Sequence, residues 1–416
     1  MYIIYHSYTM SHLSSFVRNM SGGVKGIRYK VEQLNKYIPT EPIRYGIPYP
    51  VIRSRSISVD NSKKINQSKN TKPIDSSANS YLDGKYNIFN ISNRTHIMVS
   101  GKDCKDYINL LTTCDNKIMD FGTTRKSLAL RADGTMLGVG LVNRWNNYYS
   151  VIMDGGNDDT LQDHFFDNKV GFDISLSRNL VDELYLFKGP GSLKVINSIM
   201  NYLNNNSNKG CQVLNSLNYQ SNINFPNQFT PNNSFSVINT PQGYIISINK
   251  QIVDKVFNNL NLVVSSENDY ETNRIESGMP CFTRDLMGDY NPIEANLHSH
   301  FSKNYKYSKR GSLGSSFYGK NPLFSEHGSF KRFSRTRVML YSCDKGLIPP
   351  ENSIIYNNDV KVGHVTSSTS STYLKCIVAM GYVHLEKTFK TRSFSLAREM
   401  VKKVEINGNS YFIKFL

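Results

Sequence analysis

The hydrophobic pattern of this 416-residue chain changes character near Tyr81. Residues 1–80 hold no sustained periodicity, and the Ser/Asn/Lys stretch from Ser54 to Asn79 is too polar to fold alone, so it reads as a linker. Beyond Tyr81 short alternating runs begin. Phe89–Val99 alternates as strands do, and the run from Gly101 to Leu111 predicts a capped amphipathic helix with Tyr107, Leu110 and Leu111 on one face. Ser127–Arg131, Leu137–Arg144 and Tyr148–Met153 predict antiparallel strands turned by Asp133-Gly134 and Asn146-Asn147. A short helix is expected over Thr160–Phe166, an apolar strand over Leu184–Phe187, and a helix over Ser192–Leu203. Asn204–Asn233 is polar and Asn-heavy, the composition of an inserted loop. Strands at Phe235–Ile238 and Tyr244–Ile248 then precede a helix over Gln251–Leu260. From Arg337 onward short strands separated by turns predict an all-β barrel, with Lys361–Ser367 and Ile377–Val383 joined by a hydroxyl-rich loop. Strand pairs interleaved with helices, followed by a run of strands, define an α+β class and not a doubly wound α/β sheet.

Composition narrows this picture. The length calls for two or three domains. No run approaches the roughly 18 apolar residues of a membrane span, so a soluble protein without such a span is expected. The six cysteines, at 104, 114, 211, 281, 343 and 376, form no C-x-x-C pair, which points to reduced thiols and no metal site. The formal net charge is +16. Lysine and arginine cluster in Lys303–Arg310 and Lys331–Arg337, but no nucleic-acid motif accompanies them. A basic surface facing an acidic protein or a polyanionic cofactor fits as well, and no nucleic-acid partner is expected. The first acidic residue is Glu32, while Arg18, Lys25, Arg28 and Lys30 precede it. Basic, serine-containing and acid-poor is the composition of a mitochondrial transit peptide.

The most specific string is the run from Gly363 to Val383, G-H-V-T-S-S-T-S-S-T-Y-L-K-C-I-V-A-M-G-Y-V. It resembles the C-terminal barrel of the T-proteins, the aminomethyltransferases of the glycine cleavage system, with Ser368 and Thr372 replacing a family glycine and proline. Further segments resemble the same family in the same order: N-I-F-N-I-S at 87–92, L-Y-L-F-K-G-P at 184–190, Arg274–Asp285, P-I-E-A-N-L at 292–297 and F-Y-G-K at 317–320. The resemblance implies a transit peptide and linker over 1–80, a folate-binding α+β region over 81–335 carrying the 204–233 insertion, and a β-barrel over 336–416.

It also implies a reaction: transfer of a methylene unit from the aminomethyl-lipoyl arm of a carrier, the H-protein, to tetrahydrofolate, with release of ammonia in glycine catabolism. By resemblance Arg274 meets the folate tail, Asp154 takes the place of an asparagine at the pterin, and Phe282 forms an aromatic wall. Lys303, Lys306 and Arg310, with Lys309, Lys331 and Arg332 near them, are candidates for the face that meets an acidic carrier.

Two departures weaken the catalytic match. The family's paired aspartates fall at Leu137 and Gly138, so no catalytic acid is assigned, and Asp133 reads as a turn former. Pro241 occupies the slot of a pterin-binding glutamate, removing an acceptor and an amide donor together. The same losses resemble the YgfZ-type factors, which serve mitochondrial iron–sulfur cluster assembly and bind folate without this chemistry. Their reactive cysteine is here Ser316, which cannot replace a soft ligand or redox nucleophile.

Overall fold

The computed structural model describes residues 85–416 except 116–118, 146, 157–158, 206–221, 225–234, 303–316, 326–327, 343–345, 392–396, 399 and 401. The leader and linker over 1–80, most of the Asn-rich insertion, Ser316, and Lys303, Lys306, Lys309 and Arg310 lie outside the described residues. The body comprises β1 (Asn87–Asn90), β2 (Thr95–Ser100), α1 (Cys104–Leu111), β3 (Thr123–Leu130), β4 (Met136–Arg144), β5 (Tyr148–Asp154), α2 (Thr160–Asp167), β6 (Ser175–Arg178), β7 (Asp182–Lys188) and α3 (Ser192–Asn205). It continues through β8 (Asn222–Asn224), β9 (Phe235–Thr240), β10 (Gly243–Asn249), α4 (Lys250–Asn259) and α5 (Glu267–Glu276). The terminal region adds β11 (Arg335–Ser342), β12 (Ile354–Asn357), β13 (Val360–Ser371), β14 (Cys376–His384), α6 (Leu385–Phe389), β15 (Lys402–Ile406) and β16 (Asn409–Phe415).

Two five-stranded antiparallel sheets form the body, in the orders β1-β7-β10-β9-β8 and β3-β4-β5-β2-β6. They meet through one apolar layer that includes Phe89, Leu141, Ile152, Leu186 and Ile245. On its other face the first sheet buries Phe187, Val237 and Ile246 against Ile196 and Ile199 of α3 and Val253 and Phe257 of α4. The second buries Ile97, Val142 and Val151 against Tyr107 of α1 and Leu161 and Phe165 of α2. Helices at the outer faces and sheets between them give every apolar strand face a partner. Strands β11 to β16 close into a barrel, ordered β11-β14-β13-β12-β15-β16, around its own core of Val338, Leu340, Val365 and Tyr411. The α+β class with a terminal barrel is as the sequence predicts.

Three elements differ from expectation. The hydroxyl-rich loop is strand: β13 runs to Ser371 and pairs with β14 through Ser368–Ala379 and Ser371–Cys376. Cross-strand pairing against an apolar neighbour overrides the turn preference of serine. Part of the inserted segment is ordered as β8, hydrogen-bonded to β9. Helix α5 was not foreseen. It carries a capping box, in which the Ser266 side chain accepts from the Asp269 amide and the Asp269 carboxylate accepts from that of Ser266. The opening glycine of the diagnostic string has a physical cause. A Cβ on Gly363 would lie 1.9 Å from the Tyr382 carbonyl oxygen, so β13 and β14 approach there as only glycine permits.

Candidate functional site

A hollow lies where the two sheets, the segment after α5 and the β9–β10 hairpin converge. Its outer chamber, about 510 Å³, is walled by Phe89, Asn93, Tyr270, Cys281 and Arg284 among others. An inner chamber of about 50 Å³ is lined by Lys126, Val139, Gly140, Leu141, Gln242 and His300 among others. Arg94 and Asp154 line both.

Asp154 ends β5, and the chain around it fixes its carboxylate. Oδ2 accepts from the Phe282 amide at 3.1 Å, and Oδ1 accepts more weakly from the Gly156 amide at 3.4 Å. An ionised carboxylate has about four acceptor positions, so these bonds orient it without saturating it. Arg94, in the turn before β2, donates to the Tyr270 hydroxyl at 3.2 Å, and the Tyr270 ring packs on Phe89 with centroids 5.4 Å apart. Burial works against the Arg94 charge, but Tyr270 and Asp154 more than offset it and hold its pKa above the ordinary value. Lys126 and His300 bring two more nitrogen bases. Burial lowers the Lys126 pKa to about 8. Burial, reinforced by the Lys126 charge, lowers that of His300 to about 3, so its imidazole is neutral at physiological pH.

The residues expected to bind folate separate here. Asp154 lines the hollow. Arg274 does not act as a free guanidinium: it is 1% exposed, and all five of its N–H directions have protein acceptors. Nε and Nη2 donate to Glu271 at 2.8 and 2.6 Å, and Nη1 donates to Asp285 at 2.9 Å. Ser367 of β13 and the Met279 carbonyl take the rest. Arg274 therefore clamps the barrel to the body, and a folate tail would have to displace a buried ion pair to reach it. Phe282 serves the hollow with its amide, because its ring is buried with Leu128, Met136 and Leu297.

Leu137 and Gly138, the positions that align with the family aspartates by resemblance, lie on the side of β4 away from the hollow. A β-bulge opposite Ala129 and Leu130 sets the register of β4. Leu137 lies in the core beside Leu161, and a Cβ on Gly138 would meet Leu161 at 2.8 Å, so both face away from the hollow. The cavity-facing positions of β4 are Val139, Gly140 and Leu141, and none carries a titratable group. Pro241 does stand at the hollow, as its slot implies, and Gln242 beside it offers an amide. Asp133 is a turn residue whose Oδ1 accepts from the Thr135 amide at 2.9 Å.

Arg94, Lys126, Gln242, Tyr270 and His300 were missed. Lys126 left a signal: it shares a strand face with Leu128, and a charge in an apolar stripe is a buried charge. Arg94 and His300 sit in irregular segments where periodicity is silent. Lys331 and Arg332 are exposed, with Lys331 Nζ donating to the Asn321 carbonyl at 3.1 Å. Among the described residues no group of three or more His, Cys, Asp or Glu could hold a metal, and no helix is long and apolar enough to cross a membrane.

Residues 335–411 match the family model of the glycine cleavage T-protein C-terminal barrel domain. Over the longer chain, the crystal structure of glycine cleavage system aminomethyltransferase T from Bartonella henselae superposes with a TM-score of 0.62. That match covers 80% of this chain and 86% of the other at 18% identity. The chain has the T-protein fold. A heterotetrameric sarcosine oxidase from Corynebacterium sp. U-96, in complex with pyrrole 2-carboxylate, overlaps 44% of this chain and 87% of its own at 10% identity and a TM-score of 0.26. No curated protein matches by sequence. At this identity the likeness is one of fold, and the β4 face of the hollow carries no carboxylate.

Arg274→Met leaves Asp285 as a buried, unpaired carboxylate and should cost about 3–5 kcal/mol of unfolding free energy, read as a lower denaturant midpoint. The buried histidines set the acid limb of stability. Burial holds His300 at about 3 and His96 at about 4, both below their ordinary 6.5. The unfolded chain therefore binds more protons, and the stability they support is complete above about pH 6.5 and declines as pH falls through 6.5 toward 4. Each histidine should account for up to about 2 kcal/mol by pH 5, and His300→Gln should flatten the fall in urea midpoint between about pH 7 and pH 5.

Proposed function

We propose that the hollow binds tetrahydrofolate and that the protein is a divergent mitochondrial aminomethyltransferase homologue of the glycine cleavage system. It would accept a methylene unit from the aminomethyl-lipoyl arm of the H-protein, at a rate below that of relatives with an acid on β4. The observation that carries this reading is the hollow itself: a preformed two-chamber site with one oriented carboxylate, Asp154, in a T-protein fold. The outer chamber, at about 510 Å³, lies within the roughly 300–1,000 Å³ of small-molecule sites.

The residues fit the ligand chemistry. Asp154 accepts from the amino and ring N–H groups of a pterin, and Gln242 adds a side chain that both donates and accepts. Phe89 and Tyr270 supply an apolar wall. Arg94 is the cation at the outer chamber for a glutamyl carboxylate, with Arg284, half-exposed and donating to Glu271 at 3.0 Å, beside it in a wall that Glu267 and Glu271 also line. Tetrahydrofolate supplies the nucleophilic amines. The chain contributes position, which raises effective concentration, while the acid-free face of β4 withholds a proton-transfer group worth roughly 10²–10⁴-fold.

The basic, acid-poor leader supports a mitochondrial address. The exposed Lys331 and Arg332 and the +16 net charge support an acidic carrier partner. The bare β4 face also favours a second reading, a noncatalytic folate-binding factor for mitochondrial iron–sulfur cluster assembly.

Calorimetric titration of the full chain with tetrahydrofolate should give saturable binding, weakened about tenfold or more in Asp154→Ala, which removes a charged hydrogen-bond acceptor. Single-turnover transfer from a loaded lipoyl carrier should then be measurable but slow. Binding with no transfer favours the assembly factor, and no binding at high micromolar folate removes both readings.

A further inference from the structure

Methylene transfer to folate needs a group that moves protons. On β4 the cavity wall is Val139, Gly140 and Leu141, none of which can. The adjacent strand offers a candidate. Lys126 of β3 is the register partner of Leu141 and lines the same inner chamber. It lies on the strand face of Leu128, a residue of an otherwise apolar cluster. A lysine in that place loses hydration, which explains a pKa of about 8.

The other charged or titratable groups facing the chamber are Arg94, Asp154 and His300. Arg94 stays cationic, and His300 stays neutral well below neutrality, so neither changes state near pH 7. Asp154 is held by the amides of Phe282 and Gly156, which suits it to orient a ligand. Among the nitrogen bases of the chamber, Lys126 is the one whose pKa is brought near physiological pH.

We propose that Lys126 is the proton-transfer group of this site, supplying from β3 the function that β4 lacks. The proposal rests on the folate reading above. The methylene carbon gains bonds to two folate nitrogens and loses its bonds to sulfur and to the amine. Neutral Lys126 takes the proton from the attacking folate nitrogen as the new C–N bond forms. As the ammonium it returns that proton to the departing amine, which leaves as ammonia. The proton of the second folate nitrogen ends on the lipoyl sulfur as a thiol, and nothing is oxidised or reduced. With a pKa of about 8, roughly a tenth of the side chain is neutral at pH 7, within the useful range for a general base.

The test is single-turnover transfer by the full chain, from a loaded lipoyl carrier to tetrahydrofolate, between about pH 6 and pH 9.5. The wild type should accelerate as pH rises through about 8. Lys126→Met and Lys126→Arg should both lose that inflection and about 100-fold or more in rate. Both should keep tetrahydrofolate affinity within about threefold by calorimetry, since the lysine acts on the transition state. Arg retains the charge, so a merely electrostatic or structural lysine would be rescued by it. In Lys126→Ala, added ethylamine should restore rate in proportion to its concentration. Either variant with the wild-type rate and inflection overturns the role of Lys126, as does a wild type that binds folate and transfers nothing. Folate that fails to bind the wild type overturns the folate reading itself, which calorimetry reports separately.

Discussion

The geometry of the hollow depends on one buried carboxylate. Asp285 is fully buried, yet it accepts from the Arg274 guanidinium and the Cys281 amide on the body side and from Thr366 and Ser367 on the barrel side. A charge so enclosed is tolerated only while every acceptor position is engaged. The knot therefore fixes how the barrel sits on the body and pins the π-turn Phe282–Leu286. The first residue of that turn presents the amide that orients Asp154. Arg337 of β11 adds a second tie, donating to the Ala295 carbonyl at 3.0 Å and the Gly278 carbonyl at 3.2 Å. The barrel, far from being an appendage, sets one wall of the site through these bonds.

Around that frame the hollow is chemically unlike the one its resemblance implies. The strand expected to bring acid brings valine, glycine and leucine, while a lysine enters from the neighbouring strand and an arginine from the turn before β2. In the inner chamber Arg94 and Lys126 stand against Asp154, while in the outer chamber Glu267 and Glu271 join Asp154 against Arg94 and Arg284. The cations nearest the ligand space are also the ones that no motif marked.

How far the sequence reaches can be judged from particular residues. Strands β3, β4, β5, β7, β9 and β10 are legible as short apolar, β-branched runs bounded by turn residues, the pattern of strands covered on both faces. The run from Gly363 to Val383 was legible as a string of letters, and its glycines Gly363 and Gly381 answer to the close approach of β13 and β14. Helix α5 was not, because two of its three buried residues are polar: Asn273 accepts from Lys188 of β7 and Arg274 meets Asp285 and Ser367, leaving Ile275 alone as an apolar signal. For Arg274 a sequence shows a guanidinium but not the Glu271 and Asp285 oxygens that engage it. The bulge in β4, where one extra residue changes which side chains face the hollow, is recorded by no composition rule. Asp154, singled out by resemblance, ends β5 and lines the hollow.

Hydrogen–deuterium exchange of the full chain with and without tetrahydrofolate tests the central claim most directly, because it reads the hollow at the level of individual segments. The account predicts slowed exchange in the turn from Phe282 to Leu286 and at Gln242, with the barrel strands distant from the hollow unchanged. Protection confined to the outer barrel or the basic surface, or none at saturating ligand, would contradict it.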